Sequence, residues 1–440
     1  MNRRKVTSAA DVKSVVAGKH LPAATSSDMS DDDFWTSRPI LHHIRTAARA
    51  SLTGPWAVLG VCLVDVVAAT PPEVQLPGYV GGPASLNLFA GLVGPPGGGK
   101  GGATACARRA LTIVGPNGHN ARAPQFPLGT GEGLVRIFAG DGGGDDDAPP
   151  PTRAVIDVPE IDMLEAQKGR QGSTLMPVLR QSWMGETLGF TNSERARRTA
   201  LEAHSYRLCL IAGVQPLRAG VLLDDAAGGT PQRFMWMRVD DPAAPRHTEP
   251  SPGVEVVRLP EIPAGGCEMG MPETVAKAVR AARLESLHGG LERQNLDGHA
   301  LLAREKIAAA LALLDGRLDA TDEDWRLAGH VMAVSDATRA EVQRIRNTSD
   351  RRSRHQRAEH RGEDSEVAAT ARLRTRAEGH VHRWITRNAD GQWHTSGDIA
   401  QSGKSDIREH LPDAIAAAVR AGRLETGKHN GHVVYRVTVP

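Results

Sequence analysis

At 440 residues, with 40% apolar and 24% charged side chains, the chain has room for two or three domains with their own cores and is neither disordered nor fibrous in composition. A net charge of +2 excludes a uniformly polybasic protein, but the charge is uneven: residues 339–361 hold eight Arg against three acids, which fits a polyanion-facing tail and equally a solvated charged helix. The cysteines Cys62, Cys106, Cys209 and Cys267 are scattered without a CxxC pair, which argues against structural zinc and for a reduced, cytoplasmic setting.

Residues 1–33 are polar and aperiodic, end in SSDMSDDD, and read as a disordered leader. Two helices are predicted within residues 34–80, FWTSRPILHHIRTAARA and PWAVLGVCLVDVVAA. The second lies in the longest apolar stretch, which contains Asp65 and falls short of the ~20 apolar residues that span a bilayer. It predicts a buried helix and no membrane anchor. From about residue 84 strand and helix signals alternate. SLNLFAGLVG, RAVIDVPEID (153–162), YRLCLIAGVQP (206–216) and RFMWMRVD (233–240) are four apolar strand runs, and a helix is predicted from Lys100 to Ile113. The alternation predicts an α/β fold whose parallel sheet is covered on both faces. GDGGGDDDAPPPT (140–152) predicts an exposed loop.

Between the first strand and its helix stand Gly94, Pro95, Pro96, Gly97, Gly98, Gly99, Lys100, Gly101 and Gly102, which satisfy the pattern G-x4-G-K. A strand, a glycine loop and a helix N-terminus aim main-chain amides and the helix dipole at phosphates. Lys100 would reach the β and γ oxygens of ATP. Gly101 stands where a Ser or Thr ordinarily ligates Mg²⁺. Thr104 could substitute only if the first helical turn were displaced; otherwise the metal is held through water.

Hydrolysis also needs a carboxylate at the end of a neighbouring strand. Glu160, just past the strand-stopping Pro159, is the expected water-activating base, with Asp157 or Asp162 near the magnesium. Gln215, at the tip of the third strand, is placed to sense the γ-phosphate. Arg233, opening the fourth strand, and Arg218 are candidates for an arginine that a neighbouring subunit supplies to the transferring phosphoryl group. The ATPase core is thus expected over 81–262.

A Pro-rich connection at 242–272 leads to a helical segment over 263–345, in which TDEDW supplies a Thr321 cap. Residues 346–364 form a basic linker, flexible or partly helical, expected to bind phosphates without reading sequence. Residues 365–440 read as a winged helix: a long helix, a short strand at GQWHT, the helix SGDIAQ with a Ser cap, a helix after Pro412, and a hairpin turning at Asn430–Gly431. Lys404, Arg408, Arg420, Arg423, Lys428 and His429 are its candidate DNA contacts, mainly to phosphates. Such a tail equally serves as a protein-docking module.

The blocks LFAGLVGPPGGGKGGA, EIDMLEAQKGRQGSTLMPVLRQSWMGE, SYRLCLIAGVQP and GGTPQRF resemble a P-loop family carried by plasmids, prophages and integrative elements of GC-rich bacteria, similar in outline to hexameric AAA+ replicative helicases. The resemblance covers about residues 34–345. It implies an AAA+/RecA-like sheet with a helical lid, and roles for Lys100, Glu160, Gln215 and Arg233. REKIAAALALLDGRLDATDEDW also resembles the lid helices of minichromosome-maintenance-type helicases, which would set Arg304 against the nucleotide. Gly101 and the lack of an adjacent Asp–Glu pair depart from those helicases. The function so implied is an ATP-dependent DNA helicase or translocase working as a homo-hexamer on single-stranded or forked DNA, with Lys168 and Arg170 facing its channel and a separate primase or initiator protein as partner. The alternative is an ATP-switched DNA-binding initiator or regulator that does not unwind.

Overall fold

The computed structural model describes residues 29–139, 149–169, 172–190, 199–289, 297–401 and 403–438. The chain divides into two units, residues 1–346 and 347–440.

The first unit is built on a five-stranded sheet. Its strands are β1 (Phe89–Val93), β2 (Gln125–Pro127), β3 (Arg153–Val158), β4 (Arg207–Val214) and β5 (Phe234–Arg238). They lie in the order β5-β1-β4-β3-β2, every pair parallel. All of β1 and β4 is buried, as a parallel sheet covered on both faces requires. The four apolar runs became β1, β3, β4 and β5. The edge strand β2 was not anticipated; it is three residues long and ends in a proline, which only an edge tolerates.

The helix after the glycine loop stops at Ala110, earlier than predicted. Leu111–Val114 turns instead into a strand pairing in parallel with Glu255–Arg258. Its run of Thr112, Ile113 and Val114 is β-branched and favours the extended state.

The helix Pro55–Ala69 is buried at all fifteen positions and packs against β1, β3, β4, β5 and the helix Lys100–Ala110. A helix apolar around its whole circumference belongs inside a core. Its one charge, Asp65, is paired with Arg122; burial pushes the carboxyl up in pKa while Arg122 opposes the shift. The helix Asp297–Leu314 packs on the same central helix, so the C-terminal helices of this unit share its core.

The end of the expected leader is ordered. Ser30 caps the helix Asp31–Thr36 in a reciprocal box with Asp33, and Asp31 accepts from Trp56 Nε1 at 3.3 Å. Residues 1–28 lie outside the described residues, as do 140–148 of the glycine- and aspartate-rich stretch.

At the N-terminal ends of the strands lies a buried cationic cluster. Arg207 is fully buried; its guanidinium donates to the carbonyls of Thr70 (3.3 Å), Pro71 (2.7 Å) and Val74 (2.6 Å), to Ser85 Oγ and to Asn87 Oδ1. Lys306, also fully buried, donates to the Asn87 carbonyl at 2.9 Å and sits 3.6 Å from the centre of the Trp183 ring.

The second unit has its own core of Ala377, Val381, Trp384, Ile399, Leu411, Ile415 and Leu424. The segment 346–364, expected as a linker, is helical throughout and belongs to one helix, Asp322–Arg387. The helices Ser396–Gln401 and Leu411–Arg420 follow, with a three-stranded antiparallel sheet of His394–Thr395, Leu424–His429 and His432–Val437. Asn430 and Gly431 turn the hairpin with positive φ values of 49° and 83°. The Ser396–Gln401 helix is capped by Thr395, not by its first Ser: Asp398 N donates to Thr395 Oγ1 at 3.2 Å, and Asp398 Oδ2 accepts from the Thr395 amide at 2.7 Å. All four cysteines are free, and among the described residues no helix is long and apolar enough to cross a membrane.

Candidate functional site

The C-terminal ends of β1, β3 and β4 converge on the glycine loop. Gly94 N donates to the Val214 carbonyl at 3.0 Å, and Ile161 N donates to the Gly213 carbonyl at 2.9 Å. These two bonds hold the loop, the turn after β3 and the tip of β4 together. Close approach requires glycine at 213, where a Cβ would stand 2.1 Å from the Pro159 carbonyl oxygen and 3.4 Å from Lys100 Cδ. Gly213 was not singled out in the sequence, although a glycine near the end of an apolar run signals a tight backbone contact.

The loop itself turns through Gly97 (φ 71°) and Gly99 (φ 91°), conformations that side chains strongly disfavour. Gly99 caps the helix Lys100–Ala110, and the first helical bond runs from Ala103 N to the Gly99 carbonyl at 2.9 Å. The Gly98 amide donates to the Pro95 carbonyl at 3.0 Å, while the other amides at the helix N-terminus have no acceptor inside the helix. Lys100 folds back over the loop, its ammonium donating to the carbonyls of Gly94 (3.1 Å) and Pro95 (2.8 Å). Partial burial lowers its pKa below the ordinary lysine value, and the negative charge of Glu160 opposes that shift. Glu160 is exposed, and Gln215 is half-buried one residue beyond β4. Lys100, Glu160 and Gln215 are thus gathered at one end of the sheet.

The proposed metal ligands divide. Asp162 opens a short helix, with Oδ2 3.7 Å from Arg218 Nε and Oδ1 buried without a hydrogen-bond partner. Asp157 lies deeper: it pairs through Ile211 with Ala90, four residues before Gly94 and on the order of 13 Å down the strand. It acts on buried Asp65 and does not face the loop. Thr104 sits on an undisplaced helix about 6 Å along the axis from Lys100, and its hydroxyl bonds the Lys100 carbonyl at 3.4 Å. Among the described residues no group of three or more His, Cys, Asp or Glu forms a metal cage.

Two arginines do not take the roles expected of them. Arg233 is only 8% exposed; its guanidinium donates to the Gly228 carbonyl at 2.7 Å, meets His299 at 3.1 Å and lies over Trp183. Burial pushes its pKa down to about 10. It is committed inside its own subunit and is not presented to a neighbour. Arg304 donates through Nε and Nη2 to the Trp325 carbonyl at 3.1 and 2.8 Å, and its guanidinium carbon lies 3.8 Å from the Trp325 ring centre. It staples two helices together. Arg304→Ala should therefore lower unfolding stability by about 1–3 kcal/mol and leave nucleotide affinity unchanged, as urea melts and fluorescent-nucleotide titration would show; a selective loss of affinity would restore the nucleotide role.

Of the expected DNA contacts, Lys168 is exposed at the end of the helix Asp162–Lys168, with Nζ 3.5 Å from the Val221 carbonyl, and Arg170 lies outside the described residues. Lys404, Arg408, Arg420, Arg423, Lys428 and His429 are all exposed. No family model matches the chain, and no curated protein sequence matches it.

Proposed function

We propose that the chain is an ATP-dependent DNA helicase or translocase that acts as a homo-hexameric ring in the replication of a mobile element. In this reading the first unit is a P-loop ATPase of AAA+/RecA-like order and the second a winged helix. The observation that carries it is the order β5-β1-β4-β3-β2, which sets the tip of β4 between the glycine loop and the turn after β3. Lys100 and the amides of Gly97, Gly99, Gly101 and Gly102 would hold the ATP phosphates, Glu160 would accept a proton from the attacking water, and Gln215 would hydrogen-bond the γ-phosphate. Bound Mg²⁺ would neutralise charge on the β and γ oxygens. A primase or initiator protein would complete the replication machinery. Four unpaired cysteines accord with a cytoplasmic location.

One observation favours a second reading, an ATP-switched initiator that binds DNA without unwinding it. Gly101 has no hydroxyl to offer a metal, and the Thr104 hydroxyl is used within its helix. ATP turnover with and without single-stranded DNA, together with strand release from a forked duplex, separates the two. A motor shows DNA-stimulated turnover and ATP-dependent strand release. A switch retards the fork and releases nothing, which would overturn the helicase.

A further inference from the structure

The second unit contains a groove of about 820 Å³ between the last turns of the helix Asp322–Arg387 and the facing residues Asp398, Gln401, Lys404 and Ile407. Arg376, Arg383 and Arg387 line it from the helix, and Lys404 lines it from the other side. The spacing of seven and then four residues brings the three arginines within about 40° of one another around the helix. They form a row beside the buried stripe of Ala377, Val381 and Trp384. Over eleven residues the row spans about 16 Å, comparable to about five phosphate-to-phosphate steps of one DNA strand measured along the duplex axis at about 3.4 Å per step.

The acids nearby are already engaged. Asp398, which also lines the groove, accepts from the Thr395 amide at 2.7 Å and hydroxyl at 2.8 Å, and Asp406 is paired with Arg376 at 2.7 Å. Among the described residues, the side chains of Arg383, Arg387 and Lys404 make no hydrogen bond or ion pair. The geometry points to this groove, and not to the hairpin, as the seat of nucleic-acid phosphates in the second unit, with Arg383, Arg387 and Lys404 as the ligands. Arg420, at the end of the helix Leu411–Arg420, and Arg423 and Lys428, on the turn and hairpin that follow, are exposed and do not line it. A linear row of guanidinium groups with its aromatic neighbour Trp384 turned into the core suits a polyphosphate better than a protein, whose interfaces centre on apolar anchors. The inference deepens the DNA-handling part of the proposed function and rests on that part, not on ATP hydrolysis.

The test is fluorescence anisotropy of the full chain, without nucleotide, on a short duplex of arbitrary sequence across a salt series. Arg383→Gln with Arg387→Gln should weaken binding about tenfold and reduce the salt slope by about 1.8, the share of two phosphate contacts. Arg383→Lys with Arg387→Lys should retain most of the affinity, and Arg420→Gln with Lys428→Gln should lose less than about threefold. An unchanged melting temperature for each variant shows that the fold is intact. Affinity unchanged in the groove variant, or a larger loss in the hairpin variant, overturns the groove as the seat. Loss of poly-glutamate binding with DNA binding intact overturns it in favour of an acidic protein. A wild-type chain that shows no salt-dependent binding removes the DNA reading itself.

Discussion

Lys100→Ala is expected to lower ATP hydrolysis by at least ~100-fold and to weaken ATP binding, while the nucleotide-free protein melts close to the wild-type temperature. The ammonium donates to two loop carbonyls, of which that of Pro95 is exposed to water, so stability should change little. On the proposed reading, what is lost is a charge that would meet the transferring phosphoryl group. Glu160→Gln keeps size and polarity but removes the proton acceptor, so turnover should fall by roughly 10²–10⁴ with nucleotide affinity retained. Phosphate-release rates and equilibrium titration with a fluorescent ATP analogue read the two effects separately. A Lys100→Ala protein that hydrolyses ATP at the wild-type rate would refute the assignment of the glycine loop.

The largest effect on folding is expected at the other end of the sheet. Arg207→Met should cost about 3–5 kcal/mol of unfolding free energy, because the change leaves buried acceptors at Thr70, Val74, Ser85 and Asn87 and the half-buried Pro71 carbonyl without their donor. Burial lowers the Arg207 pKa to about 10, yet the group remains charged at neutral pH, and its five contacts compensate for lost hydration. Urea unfolding monitored by circular dichroism measures the loss. A change below about 1 kcal/mol would mean that the carbonyls find other partners and that the cluster is incidental.

What the sequence made legible was local. β1, β3, β4 and β5 were plain because each is an apolar run with turn residues at its end, and the Asn430–Gly431 hairpin because two adjacent residues specify it. Lys100, Glu160 and Gln215 follow from motifs that lie at strand ends, so their gathering at one edge came with the topology. β2 escaped because three residues next to prolines show no periodicity. The helix end at Ala110 escaped because no Gly or Pro intervenes before Gly115.

Side-chain fates were less accessible. Nothing around Arg233 reveals that His299, far along the chain, occupies its guanidinium, and nothing around Arg304 reveals the Trp325 carbonyl. Arg207 was a charge opening an apolar strand, but its acceptors come from residues 70–87, more than a hundred positions earlier. The row Arg376, Arg383 and Arg387 lay within a helix the sequence predicted and was readable from its spacing; the groove it lines was not, because Lys404 comes from a later segment.

The Pro55–Ala69 helix precedes the glycine loop in the chain yet serves as the sheet's inner lining. A fragment beginning at residue 81, where the nucleotide module seemed to start, would bare the strands it covers and invite clumping. The smallest self-sufficient piece must begin upstream of Phe34.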